Sequence, residues 1–173
     1  MTIPATGRIV RNGSGQDIVI ERTCRAPIAD VWESIVDPER MNRWVGTWSG
    51  EAGTGKRVSF TMTAEKGATP EEVLIHGCDA PKRLDVESFQ GETSWRMKLE
   101  LSESDGITTL VFSQNVEVSD EGATSYGPGW EYYLDRLVAT HEGTPFASWD
   151  DYYPAQVAYW EEELRKAGTG PAS

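Results

Sequence analysis

From Val58 to Phe112 apolar side chains recur at alternate positions, and beyond Gly127 the spacing changes to that of a helix. A period of two places successive side chains on opposite faces of a strand, whereas a period of 3.6 gathers them into one helical stripe. Val58, Phe60 and Met62 alternate, Glu72 to Cys78 reads as the next strand, and Leu84 and Val86 mark another. Trp95, Met97, Leu99 and Leu101 alternate with Arg96, Lys98 and Glu100, the pattern of an antiparallel strand with one face on a core. Leu110 and Phe112 continue it towards Asn115. Turns separate the strands at Glu65 to Pro70, Asp79 to Lys82, Gly91-Glu92 and Asp105-Gly106, the last a two-residue hairpin signal. Trp130, Tyr133, Leu134, Leu137, Val138 and His141 then share one helix face.

Ahead of these strands, Asp17 to Cys24 reads as a strand. Pro27 opens a helix carrying Ile28, Val31, Trp32 and Ile35 on one side. Asp37-Pro38 caps and starts a second short helix through Met41 and Arg43. A glycine-rich loop with Trp44 and Trp48 follows, up to Gly55. Residues 1–16 read as a flexible arm with a short edge strand at 7–10. After a polar loop at 119–125 and the long helix, Pro154 opens a last helix with Tyr153, Val157, Trp160 and Leu164 on one side, and 168–173 reads as a tail. Without repeats or a linker, the expectation is one domain over 17–167, of which 143–167 is a C-terminal helical extension. Helices segregated to one face of an antiparallel sheet make an α+β fold. A long twisted sheet curls around the helix laid on it, with room for a cavity between them.

The chain carries 16 Lys and Arg against 28 Asp and Glu, a net charge of −12. That balance argues against nucleic acid and anionic lipid as partners, because both need a basic surface. No apolar run approaches the ~20 residues that span a bilayer. The first seven residues lack a basic region followed by an apolar stretch. Cys24 and Cys78 read most simply as two buried free thiols, with a single disulfide as the alternative, so a cytoplasmic location is expected. CxxC, HExxH, GxxxxGK[ST] and GxGxxG are absent, and no cofactor or metal is expected. The run from Gly50 to Lys56 is followed by Arg57 and a strand, so it reads as a turn rather than a phosphate cradle.

This order of elements, with Ala26-Pro27, Val31-Trp32, Asp37-Pro38-Glu39, Arg43-Trp44, Gly55, Phe60, Pro81-Lys82-Arg83-Leu84, Gly106 to Leu110, Gly129-Trp130, Leu134 and Leu137, resembles the START/Bet v 1-like (SRPBCC) superfamily. Within it the chain resembles bacterial proteins similar to the activator of heat-shock protein 90 ATPase. The likeness spans roughly 17–142. It implies the helix-grip fold and a ligand cavity, but no single chemistry: such proteins include lipid or polyketide binders, cyclase-like enzymes and co-chaperone domains. Trp44-Val45-Gly46-Thr47-Trp48 stands where the family often has Trp-Phe-Gly-Pro, which puts the pocket mouth in doubt. The stretch from Trp149 to Trp160 resembles an extension found in an actinobacterial-type branch of such proteins.

The candidate cavity residues are Trp44, Met62, Trp95, Met97, Phe112, Gln114, Trp130, Tyr133 and Leu137. Each either lines a pocket or simply packs in the core; large aromatics suit both roles. His76 with an acid, the histidine on one strand parity with Leu74 and Cys78, and an inward Arg22 with Gln114 are the only polar pairs that cavity chemistry could use. Their structural readings are a satisfied histidine and an arginine paired with an internal acid. His141 reads as a helix C-terminal histidine, and Glu161 to Glu163 as a solvated face. The expected partner is a small apolar or amphipathic ligand. A cavity enzyme and a chaperone-binding surface around Trp149 and Tyr152 are the alternatives, and both monomer and homodimer remain open.

Overall fold

The computed structural model describes residues 2–13, 15–116 and 122–169. Eight strands form one antiparallel sheet: β1 (Arg8–Asn12), β2 (Gly15–Cys24), β3 (Thr47–Ser49), β4 (Arg57–Thr61), β5 (Glu71–Asp79), β6 (Arg83–Gln90), β7 (Thr93–Ser104) and β8 (Ile107–Val116). Their order across the sheet is β1-β2-β8-β7-β6-β5-β4-β3, so the first long strand closes against the last. Helices α1 (Ile28–Val36) and α2 (Pro38–Met41) fill the crossover from β2 to β3, and α3 (Ala123–Glu142) follows β8. A 3-10 turn at Trp149–Asp151 leads to α4 (Val157–Thr169). This is the α+β helix-grip architecture, a curved antiparallel sheet closed over a long C-terminal helix.

Local chemistry accounts for the elements. The Asp37 side chain caps α2 by accepting from the Arg40 backbone N–H at 3.0 Å, with Pro38 at the first helical position. Asp105 and Gly106 both take positive φ, 54° and 77°, as the two-residue turn between β7 and β8 requires. Inward side chains pair in register across the sheet: Cys78 faces Leu84, Leu84 faces Leu99, Leu99 faces Phe112 and Phe112 faces Ile20. The main core, with Ile18, Ile20, Leu110, Phe112, Leu134 and Leu137, lies under α3, while Val58, Val73 and Ile75 form a second, smaller cluster.

Three expectations are corrected. Described parts of the arm are held in place: 8–12 pair with β2 along their whole length, and Ile3 N–H donates to the Asp151 carbonyl at 2.9 Å. The reason lies in Glu131, a fully buried carboxylate on α3. It accepts from the backbone N–H groups of Thr6 and Gly7, both at 2.7 Å, and from the Arg22 guanidinium. A buried charge needs those donors, and the arm supplies them. Second, α3 begins at Ala123 and carries Pro128 inside it, rather than starting near Trp130. Third, α4 begins at Val157, after a turn that contains Pro154. The rest of the polar loop, at 119–121, and the tail beyond 169 lie outside the described residues.

The C-terminal extension folds back onto α3. Trp160, fully buried, lies between Gly127 and Gly7: a methyl on either glycine would come within 2.6 Å of the indole. The indole reaches this slot only because both flanking residues lack a Cβ.

Candidate ligand-binding site

Among the described residues α3 packs chiefly on β2, and α1 on β7 and β8, rather than on β4, β5 or β6. A pocket of about 370 Å³ opens on the inner face of those three strands. Val58, Val73, Ile75, Leu84 and Val86 form its sheet wall. Ile35, Val36, Met41, Trp44, Val45 and Trp48 close one side, and Trp130 and Leu134 of α3 close another. Ala52 and Cys78 line the pocket and are also exposed, which marks its mouth. The pocket lies between the main core and the smaller cluster, so hydrophobic packing shapes its walls without filling it.

The wall has almost no polar chemistry. Trp44 Nε1 donates to the Ser34 carbonyl and Trp48 Nε1 to the Val36 carbonyl, both at 2.8 Å. Trp130 Nε1 donates to Gln114 Oε1 at 2.6 Å, while its ring lies tilted by 36° against Phe112 with centroids 4.3 Å apart. All three indole donors on the wall are thus spent inside the protein, and their carbon faces look into the pocket. Met41 and Met97 add only weak thioether acceptors.

Of the nine sequence-predicted residues, Trp44, Met97, Phe112 and Trp130 meet on the wall. The other five lie elsewhere. Gln114 is buried beneath Trp130 as its acceptor. Tyr133 donates to Glu65 Oε1 at 2.9 Å, which pins the turn after β4 to α3, and burial pushes its hydroxyl far above the usual range. Leu137 is fully buried in the main core. Trp95 meets Tyr126 edge-on at 6.1 Å, and Met62 is half-buried against the core just past β4.

A β-bulge between Ile75 and Gly77 corrects the reading of β5. It shifts the side-chain parity by one. His76 therefore stays on the outer face, where its Nε2 lies 2.8 Å from Glu87 Oε1, while Cys78 turns into the pocket mouth instead of being buried. The Ser94 hydroxyl and the His76 ring hold the Glu87 carboxyl below its ordinary value. On the same outer face, Arg96 grips both oxygens of Asp85, at 2.6 and 2.9 Å. Arg22 does face inward, but its Nε donates to Asp135 Oδ1 at 2.7 Å and its other end meets Glu131. Tyr152 adds a hydroxyl donor to Asp135 Oδ2 at 2.7 Å. Neither pair named for cavity chemistry meets in the pocket. Cys24 is buried as expected, and burial, reinforced by Glu142, pushes its thiol up to about 11. Among the described residues, no group of three His, Cys, Asp or Glu side chains is placed to hold a metal ion, and no helix is long and apolar enough to cross a membrane.

The sheet wall escaped the sequence reading. Its residues were legible as strand residues, but the order of strands and the reach of α3 decide which of them remain uncovered. The signal that was available is the short crossover helices, which are too small to cover three strands.

A curved sheet gripping a long helix, with an apolar pocket at its uncovered end, defines a domain of the START/Bet v 1-like class. The chain belongs to the family described as activator of Hsp90 ATPase homolog 1-like protein, whose model matches residues 25–142. The crystal structure of CalU16 from Micromonospora echinospora is similar at 24% identity, over 95% of this chain and 96% of that one, with a TM-score of 0.69. A protein of Bordetella parapertussis is 21% identical over 96% and 95% of the two chains, with a TM-score of 0.68. DynU16, a protein in the dynemicin biosynthetic locus, is 20% identical over 76% of this chain and 49% of that one, at a TM-score of 0.65. These likenesses establish the fold. The first two extend well past residue 142, so the C-terminal extension has counterparts beyond the family match. No curated protein matches the sequence.

Proposed function

We propose that the domain binds a small, predominantly apolar molecule in the pocket beside β4–β6 and holds it away from water. The observation that carries this reading is the wall itself: about 370 Å³ bounded by aliphatic and aromatic side chains whose polar groups are spent within the protein. That volume falls within the roughly 300–1,000 Å³ of small-molecule sites. Transfer of apolar ligand surface out of water supplies the affinity, at about 25 cal/mol per Å². The likeness to a protein of the dynemicin biosynthetic locus supports screening biosynthetic small molecules first. The test is titration with 1-anilinonaphthalene-8-sulfonate, read by dye emission and by quenching of the wall tryptophans. Val86→Trp, which fills the pocket, is expected to abolish the signal with the fold retained by circular dichroism. Unchanged dye binding in Val86→Trp would sink the reading.

A second reading, association with the bacterial heat-shock protein 90, is favoured by a separate observation. Tyr152, expected on this surface, is buried with its hydroxyl on Asp135, but Phe146, Trp149 and Tyr153 are exposed beside α3, with Trp149 and Tyr153 stacked at 5.5 Å. Failure of the purified chaperone to be retained on immobilised protein would refute it.

A further inference from the structure

We infer that the pocket selects ligands whose polar groups are confined to one end, which stays at the Cys78 mouth while a flat apolar body enters against Trp130 and Phe112. This rests on the binding role proposed above and adds the class and orientation of the ligand. The three wall indoles donate inward to Ser34, Val36 and Gln114, so no strong donor or acceptor is left to meet a ligand hydroxyl inside. A hydroxyl carried into the interior would lose its water and gain nothing. At the mouth, Ala52 and Cys78 are open to solvent, so a polar group there keeps its hydration. The bulge in β5 places the Cys78 thiol at that rim, and burial together with Asp79 raises its pKa, so it stands there as a neutral thiol. Trp130 lies over β8, three strands from Cys78 on β5; at the usual strand spacing that is about 14 Å, deep enough to separate the two ends of a bicyclic ring. Five aromatic residues on the wall (Trp44, Trp48, Phe60, Phe112 and Trp130) favour a planar body over a flexible chain.

The test compares naphthalene, 2-naphthol and naphthalene-2,6-diol by isothermal titration. Naphthalene and 2-naphthol are expected to bind with similar affinity. The diol, which must bury one hydroxyl, is expected to bind about tenfold or more weakly. Trp130→Phe frees Gln114 Oε1 as an acceptor at the inner end, and is expected to recover the diol relative to 2-naphthol. In the unaltered protein, 2-naphthol is expected to slow alkylation of Cys78 by N-ethylmaleimide. Equal binding of the diol and 2-naphthol, or alkylation of Cys78 indifferent to bound 2-naphthol, overturns the inference and leaves the binding role standing. Failure of both naphthalene and 2-naphthol to bind overturns the binding role itself.

Discussion

Gly127→Ala tests how the C-terminal extension is held. In an ordinary helix interior this change stabilises by about 1 kcal/mol, because alanine is the better helix former. Here the added methyl would lie 2.6 Å from Trp160 Nε1, and closer to two of its ring carbons. Ordinary contact begins near 3.4 Å and the nearest ring carbon would stand at 2.2 Å, so the ring must retreat by more than about 1 Å. It has nowhere to go: Trp160 is fully buried, and on the Gly7 side a methyl would already stand 2.6 Å from its Cη2. Overpacking of this kind costs about 1–3 kcal/mol, towards the upper end where backbone blocks the retreat. Set against the helix gain, the net loss is about 1–2 kcal/mol. For a domain of this size that lowers Tm by about 2–8 °C. Differential scanning calorimetry of Gly127→Ala, with the half-buried helix position Gly129→Ala measured beside it, reads the sign directly. Nothing lies within 4 Å of a methyl at Gly129, so that variant is expected to be neutral or slightly stabilised. A raised Tm in Gly127→Ala would refute the close packing of Trp160.

Further expectations follow from the polar groups. Glu131→Ala leaves Arg22 with Asp135 as its one carboxylate partner, beside the Thr6 hydroxyl and the Glu21 carbonyl, and should cost about 3 kcal/mol in urea unfolding, because a buried ion pair is broken; a loss under 1 kcal/mol would contradict the network. His141 is held below its ordinary pKa by burial first and the Arg40 charge second, with its Nε2 2.9 Å from Ser34 Oγ. The unfolded chain therefore takes up this proton before the folded one, so stability falls as pH drops below about 6.5. His141→Gln should flatten the pH 7 to 5 stability profile, and an unaltered slope would remove His141 as its cause. With native protein, 5,5′-dithiobis(2-nitrobenzoate) should titrate Cys78 alone; Cys24 should react only on unfolding, and two reactive thiols before unfolding would contradict its burial.

Strand and helix identities were legible because a period of two or 3.6 is a local property. The alternation from Trp95 to Leu101, the Asp105-Gly106 turn and the Asp37 cap all follow from neighbouring residues and stand in the structure, whereas Thr47–Ser49, read as loop, forms β3 by pairing with β4. The candidate site was legible in part. Trp44, Met97, Phe112 and Trp130 reach the pocket, yet Gln114, Tyr133 and Leu137, on the same strand and helix faces, are taken up by internal bonds and packing. Face parity shows that a side chain points inward, but not whether a ligand or another side chain meets it there.

By itself the sequence determined the α+β class, the family likeness and the apolar character of the inner face, since each is written in local spacing and residue type. Only tertiary structure decided the rest. The antiparallel strand order sets α3 chiefly on β2 and α1 on β7 and β8, and the pocket opens beside β4–β6. One extra residue in β5 turns Cys78 into the mouth while His76 stays on the outer face, a change of parity that alternation alone does not reveal. The buried Glu131 recruits the N-terminal arm, because a carboxylate taken out of water must be met by donors, and those donors come from more than a hundred residues away.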